Sequence, residues 1–434
     1  YLLMKPNTSL SLKFIVVYFI SLSSFCWAQQ RRCGSDELMA NMHRSPEYSK
    51  MHNARQAQFK SNLEKRTTKT TQFGEIAPIR IPVAVHFPNG LESDRSCLEA
   101  LAQNQIDILN ADYTATNSDF NLWTAASSFY PGINNGNANI QFKIATLNHP
   151  ANTDTDLAEG GPAVTIGYDF GGQGGTFSIE GSFVSDIKWA GYLNIVIGNF
   201  IDNSLLGFSL IGGRVQSGDA VVMRHDVFGS GTGCVDSNTV PTSPYHLGRT
   251  VTHEIGHFLN LKHPFAGKSC TSDDGIADTP NIKMDHTNCP SPGSFEACDP
   301  NEKALTMNFM DYANDACMYM FTKGQITVAD AYLATVESDF KSGVLSISSL
   351  EFDTVSIFPN PNKGSFNVKF QTKDTTDFEV RVFDLRGRKI YKKAFENCNY
   401  FNQIINLENA QAGVYLMTVS SNGGQQMTKR ILIK

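Results

Sequence analysis

The chain has 434 residues, 36 of them basic and 42 acidic, for a net charge of −6. That length admits two or three domains, and a mildly acidic chain with no long basic run excludes charge-driven nucleic-acid binding. Nine cysteines and an abundance of Ser, Thr, Asn and Gly suit a loop-rich exported protein.

The start of the chain predicts export. Met4 is the expected initiator, Lys5 and Lys13 flank a short polar stretch, and the apolar run 14–22 follows. Ala28, with Cys26 two positions before it, satisfies the small-x-small rule, so residues 1–28 read as a signal peptide. The run is too short to cross about 30 Å of hydrocarbon, and the residues before Cys26 lack a lipobox. Processing leaves eight cysteines able to pair in an oxidising compartment: Cys33, Cys97, Cys234, Cys270, Cys289, Cys298, Cys317 and Cys398.

Residues 29–66 are polar and charged, as expected of a propeptide, with an exposed basic segment at Leu63–Thr70 as the expected activation site. Residues 67–340 carry the mixed signals of an α/β (α+β) domain. Strands are predicted at Ile79–Phe87, Ala138–Leu147, Gly191–Phe200 and Asp219–His225. Apolar spacing of three and four predicts an amphipathic helix over Ser96–Tyr113, and Arg249–Leu261 is a second helix. The chain then becomes loop-rich. Residues 341–353 read as a linker, and 354–434 as a small all-β sandwich of short strands between turns. No tandem repeat is present.

The chemistry is concentrated in "HEIGHFLNLKH", His253 to His263. His253 and His257, four apart on a helix, project from one face and can reach one zinc ion at about 2.0–2.1 Å. His263 can join them only if the chain turns after His257. Three histidines leave a fourth position for water, the arrangement of a catalytic site. Glu254 points to the open side, where it can take a proton from metal-bound water and pass it to a leaving amine. Chance produces the full pattern in about one chain in several thousand of this composition, so a merely solvated histidine-rich helix is set aside.

The stretch resembles the metzincin pattern HExxHxxGxxH. Together with "PYHLGRTVTHEIGHFLNLKH", "DGIADTP" and "NFMDYANDACMYMFTKGQ" it is similar to the pappalysin family of secreted zinc metalloproteases. Asn260 stands where that family has glycine. Asparagine tolerates the left-handed backbone the turn requires, so the turn is expected to survive. The resemblance implies that Met310 forms an apolar floor beneath the metal, that the Tyr312 hydroxyl stabilises the oxyanion, and that the disulfides are Cys270–Cys298 and Cys289–Cys317. The acidic loop "CTSDDGIADTP" reads by itself as either a calcium site or a plain solvated turn; the resemblance implies a structural calcium ion with Asp274 and Thr279 as side-chain ligands.

"RRCG" resembles the family's prosegment, which makes Cys33 a candidate thiolate ligand to zinc in the latent enzyme; a disulfide to Cys97 or Cys234 is the competing reading. Asp315 is expected to line the pocket for the residue after the scissile bond, with no basic neighbour, and to select arginine above lysine. The competing reading is an aspartate that ties down its own loop. Residues 354–434 resemble the type IX secretion sorting domain, which implies that machinery as a partner and a secreted or cell-surface location. The function expected is a secreted zinc endopeptidase made as a zymogen, acting on protein or peptide substrates. The alternatives are a surface adhesin on an inactive metzincin scaffold and a zinc amidase acting on cell wall.

Overall fold

The computed structural model describes residues 32–68, 78–180, 183–345, 353–384, 386–407, 410–421 and 426–434. The expected signal peptide, the end of the basic segment (69–70) and most of the linker (346–352) lie outside the described residues.

Two helices come first, α1 (Ser35–Met42) and α2 (Pro46–Thr68). Then follow β1 (Ile79–Phe87), α3 (Arg95–Tyr113), α4 (Asn121–Ala126), β2 (Ile140–Ile144), β3 (Val164–Ile166), β4 (Thr176–Phe177), β5 (Leu193–Phe200), β6 (Gly207–Phe208), β7 (Ala220–Arg224), α5 (Arg249–Phe258) and α6 (Lys323–Val336). Their strands form one sheet in the order β2-β1-β5-β7-β6, with β3 added to β1 and β4 to β5. Every pairing is parallel except β6 on β7. Residues 81–87 of β1 are buried without a break, as expected of a central parallel strand covered on both faces. The two-residue β6 is left at the edge.

Helix α3 positions the site. It buries Leu98, Leu101, Ala102, Ile106 and Leu109 at helical spacing, and its polar buried residues grip α5. Gln105 Nε2 donates to Gly248 O at 3.1 Å, Tyr113 OH to Thr252 O at 3.1 Å, and Thr252 Oγ1 to Asp112 Oδ2 at 2.6 Å. A disulfide, Cys97–Cys234, ties α3 to the loop preceding α5.

Between α5 and α6 the chain has little regular structure, and Cys270–Cys298 and Cys289–Cys317 pin it. Each closes a loop 28 residues apart, which stabilises by on the order of 3 kcal/mol in the chain-entropy account. These are the pairings implied by the resemblance. The expected linker begins later than 341, because Val344 is wholly buried in the main core and its carbonyl accepts from Thr146 N and Leu147 N.

The expected propeptide is helical and docked. On α2, Phe59 packs against Tyr332 of α6 with ring centroids 6.0 Å apart, and Asn62 Nδ2 donates to Thr335 Oγ1 at 3.0 Å. Among the described residues no helix is long and apolar enough to cross a membrane.

The C-terminal region is an antiparallel sheet of β8 (Asp353–Phe358), β9 (Ser365–Asp384), β10 (Lys389–Asn406), β11 (Gly413–Ser421) and β12 (Gln426–Ile433), ordered β10-β9-β11-β12 with β8 on β9. Two of its strands are far longer than the short ones expected. Phe370 and Phe378 of β9 would lie roughly 27 Å apart on a straight strand, yet their ring centroids are 5.2 Å apart. The β9–β10 hairpin therefore folds over on itself, and Met417 of β11 joins its Phe366, Val368, Val380, Val382 and Phe401 in one core. The Cys398 side chain lies outside the described residues.

Candidate metal centre

Helix α5 is wholly buried. Its start is set among carboxylates. Asp315 Oδ2 accepts from Leu247 N at 2.8 Å and Arg249 N at 3.2 Å, while the Arg249 guanidinium pairs with Asp112 at 2.8 Å and Asp119 at 3.1 Å. Negative charge beside the first turn offsets the unpaired amides and positive dipole end there. The helix ends at Phe258, three residues earlier than predicted, because Asn260 adopts φ 72°. Leu261 N then bonds back to Gly256 O at 2.9 Å, and the chain turns sharply enough to bring His263 under the helix. Asparagine thus performs the turn that glycine makes in the resembled motif.

The three imidazoles converge. His263 Nε2 lies 3.2 Å from His253 Nε2 and 3.0 Å from His257 Nε2. Each opposite nitrogen faces an acceptor: His253 Nδ1 the Phe309 carbonyl at 2.7 Å, His257 Nδ1 the Leu261 carbonyl at 2.8 Å, and His263 Nδ1 an Asp36 carboxylate oxygen at 2.9 Å. A carbonyl accepts only from an N–H, so the protons of His253 and His257 sit on Nδ1; the carboxylate holds the His263 proton there too. Three Nε2 lone pairs are thereby aimed at one point, where they repel unless a cation lies between them. This donor set fits zinc. Cys33 Sγ joins the same cluster, its ligand atom within 4.8 Å of the others. Cys33 is a free thiol and Cys97 pairs with Cys234, which removes the competing disulfide.

Around the centre stand the other expected residues. Met310 is fully buried, and its sulfur lies against Gly256, where an added Cβ would meet it at 2.5 Å. Gly256 therefore lets the thioether floor seat between the two helical histidines. Tyr312 OH is 3.3 Å from His263 Nε2 and accepts from Cys33 N at 3.3 Å. Burial first, then the neighbouring Cys33 and Glu254, pushes the Tyr312 hydroxyl well above its ordinary pKa, so it remains a donor. Glu254, fully buried, receives the Ser35 hydroxyl at 3.1 Å on Oε2. Asp311, between Met310 and Tyr312, fixes their turn by accepting from His286 N, His286 Nδ1 and Tyr312 N.

Asp315 departs from expectation. It is completely buried and turned toward the amides that open α5, and Arg249 packs over the Phe309 ring nearby, 5.1 Å from its centroid. Its geometry is that of a brace. Asp274 and Thr279 do come together: Thr279 Oγ1 donates to Asp274 at 2.8 Å, and Thr279 N and Oγ1 both reach the Ile276 carbonyl. Asp278, from the same acidic loop, instead accepts from Thr322 Oγ1 and Gly324 N at the start of α6.

Ser35 and Asp36 bond to Glu254 and His263 at the centre, and motif reading missed both. Nothing in their spacing announces a bond to residues more than 200 positions away; only their place just after Cys33 hinted at it.

Comparison with known proteins follows these features. Residues 186–334 match the family model described as "Pregnancy-associated plasma protein-A", and residues 356–434 match "Secretion system C-terminal sorting domain". The structure of a promirolysin mutant from Tannerella forsythia is 29% identical, with TM-score 0.51, and covers 71% of this chain and 95% of its own. Mature mirolysin of the same organism, solved with a cleaved peptide, is 31% identical, with TM-score 0.46, covering 61% and 96%. An extracellular metalloprotease of Arthroderma otae is 43% identical over 108 residues, 24% of this chain. The chain spans 35–39% of the length of the first curated relatives it matches. The C-terminal sorting domain marks a secreted or cell-surface protein. With the family model matched over residues 186–334, the likeness to promirolysin across 95% of that chain, and the imidazole triad, Glu254 and the Met310 floor in place, the chain carries a pappalysin-like metalloprotease domain.

Proposed function

We propose that the protein is a zinc endopeptidase synthesised as a latent zymogen. The observation that carries this is the convergence of three Nε2 lone pairs whose imidazole tautomers are set by the acceptors on Nδ1. His253, His257 and His263 would hold the ion, which when bound lowers the pKa of water toward about 7 and polarises a carbonyl. Glu254 takes the proton of the attacking water and delivers it to the departing nitrogen. The Tyr312 hydroxyl donates to the oxygen on which negative charge develops.

Latency resides in residues 29–66. Cys33 supplies a fourth donor in place of water, and Ser35 occupies the general base; both are released when the chain is cut in the basic segment 63–70, where Lys65 and Arg66 are exposed. The catalytic unit is then residues 67–340 with the packed tail to Leu345. Asp274, Thr279 and the Ile276 carbonyl form an oxygen-only set suited to calcium. Burial above all raises the Asp274 carboxyl to about 7, which is the mark of a carboxylate short of positive charge. The type IX machinery is the proposed transport partner.

Preference for arginine, then lysine, after the scissile bond belongs to this proposal, although Asp315, already bound to two amides, lends it little support. The test is digestion of casein and of peptidoglycan by processed protein, with zinc content measured alongside. One zinc per chain and cleavage of casein alone is expected. Zinc-free protein, or turnover of peptidoglycan only, overturns the reading.

A further inference from the structure

Arg32 directly precedes Cys33, and the structure shows what holds it. The segment 32–34 lies along the open edge of β6. Leu206 N donates to Arg32 O at 3.0 Å, Gly34 N donates to Gly207 O at 2.9 Å, and Cys33 pairs in parallel with Gly207. A peptide entering the cleft would add to the same edge. With Cys33 Sγ among the metal-binding nitrogens, Arg32 sits one residue from the reaction centre. Its guanidinium forks: Nη1 pairs with Asp202 and donates to Ser204 Oγ at 3.1 Å, while Nη2 reaches Glu37 of the prosegment at 2.8 Å.

Asp202 and Ser204 are a prearranged pair. Ser204 donates to Asp202 Oδ1 from its hydroxyl at 2.7 Å and its amide at 2.9 Å. Those two bonds, hydroxyl first, hold the Asp202 carboxyl below its ordinary pKa. The cleft beside them has a volume of about 420 Å³, and Phe265, Lys268, Asp285 and Tyr312 line it on the catalytic side together with Ser204. Prosegment residues Arg32, Cys33, Asp36 and Glu37 line the remainder and leave with the propeptide.

We infer that Asp202, with Ser204, is a specificity-determining carboxylate of the substrate cleft: it holds Arg32 in the zymogen and, once the prosegment has left, a cationic substrate side chain next to the scissile bond. Both contacts are made by Nη1 alone, so a lysine ammonium, with three donors on one nitrogen, can make them as well, and the pair selects basic over apolar side chains. The inference rests on the peptidase reading and gives its basic preference a carboxylate beside the cleft, bonded to the cleft-lining Ser204. Arg32 and Asp202 are 44% and 47% exposed, so the preference is modest and screened by salt.

The experiment uses processed enzyme, wild type and Asp202→Asn, on paired peptides differing only in arginine or leucine beside the scissile bond, in low and high salt. The wild-type arginine-to-leucine ratio of kcat/KM should exceed unity and shrink in high salt, and Asp202→Asn should lower it about 1.5- to fivefold. An unchanged ratio in Asp202→Asn, or no basic preference in the wild type, overturns the inference. A second measurement needs no catalysis: a synthetic peptide of residues 32–42 is titrated against processed Glu254→Ala protein. Arg32→Ala in the peptide, or Asp202→Asn in the protein, should each weaken binding about 1.5- to fivefold, with no further loss when combined. Additive losses overturn the pairing. Failure of every peptide to be cut, with the titration behaving as expected, discredits the peptidase reading and leaves Asp202 as a prosegment anchor only.

Discussion

Glu254 is the proposed general base, and Ser35 of the prosegment holds it. Its Oε2 accepts from Ser35 in the latent form, and Ser35 Oγ in turn accepts from Ser209 N at 2.9 Å. Glu254→Ala should retain one zinc per chain, because no ligand is removed, while turnover falls by at least about three orders of magnitude. Metal analysis beside a peptide assay checks this, and near-normal turnover would remove Glu254 from the mechanism. Asp315 yields a prediction about stability. Asp315→Asn exchanges a charged acceptor at the opening of α5 for a neutral one, and unfolding should shift by about 1–3 kcal/mol toward instability. A melting curve in saturating zinc checks it; an unaltered melting temperature with a changed cleavage pattern would restore Asp315 to the pocket.

At the scale of elements, the turn after α5 joins the active site to the prosegment. Gln56 of α2 and Asn260 exchange side-chain amide bonds, 2.8 Å one way and 3.3 Å the other. Asn260→Gly keeps the left-handed turn but deletes that pair, so the zymogen should activate with a shorter lag. The lag in a casein assay after addition of an activating protease measures it, and a lag equal to wild type would show the pair to be idle. This corner also shows what sequence can and cannot disclose. The spacing of His253 and His257 and the tolerance of Asn260 for positive φ are local properties, and both were legible. Ser35 and Asp36 reach the centre, and Asp202 reaches Arg32, only where residues 32–34 lie along β6, which no local period reveals. The orientation of Asp315 depended on an amide pair 66 and 68 residues earlier. In the C-terminal sheet short strands between turns were expected, whereas β9 runs unbroken from Ser365 to Asp384 and bends without leaving the strand.

For the whole molecule, the buried Asp274 would link the proposed calcium site to pH. Its carboxyl is raised to about 7 from 3.8, so between those values the folded chain holds a proton that the unfolded chain has lost. Stability of calcium-free protein therefore falls as pH rises from about 4 to about 7. Calcium should restore it above pH 7 and do little near pH 5, and magnesium should not substitute. Melting in EGTA, with zinc held saturating, against melting in calcium across that range checks the sign. Asp274→Asn should remove most of the pH-dependent difference, and a calcium effect that survives it places the ion elsewhere.

The edge strand β6 carries one last consequence. Among the described residues, only Leu206 N, Gly207 O and their immediate neighbours pair with the prosegment there, so activation bares a very short ladder. Two residues are enough to align one substrate backbone across the catalytic centre, but too few to template a neighbouring molecule's strand. Long bare edges invite aggregation and short ones do not. The edge that the proposed activation uncovers is therefore long enough to take one backbone and too short to recruit a second copy of the chain.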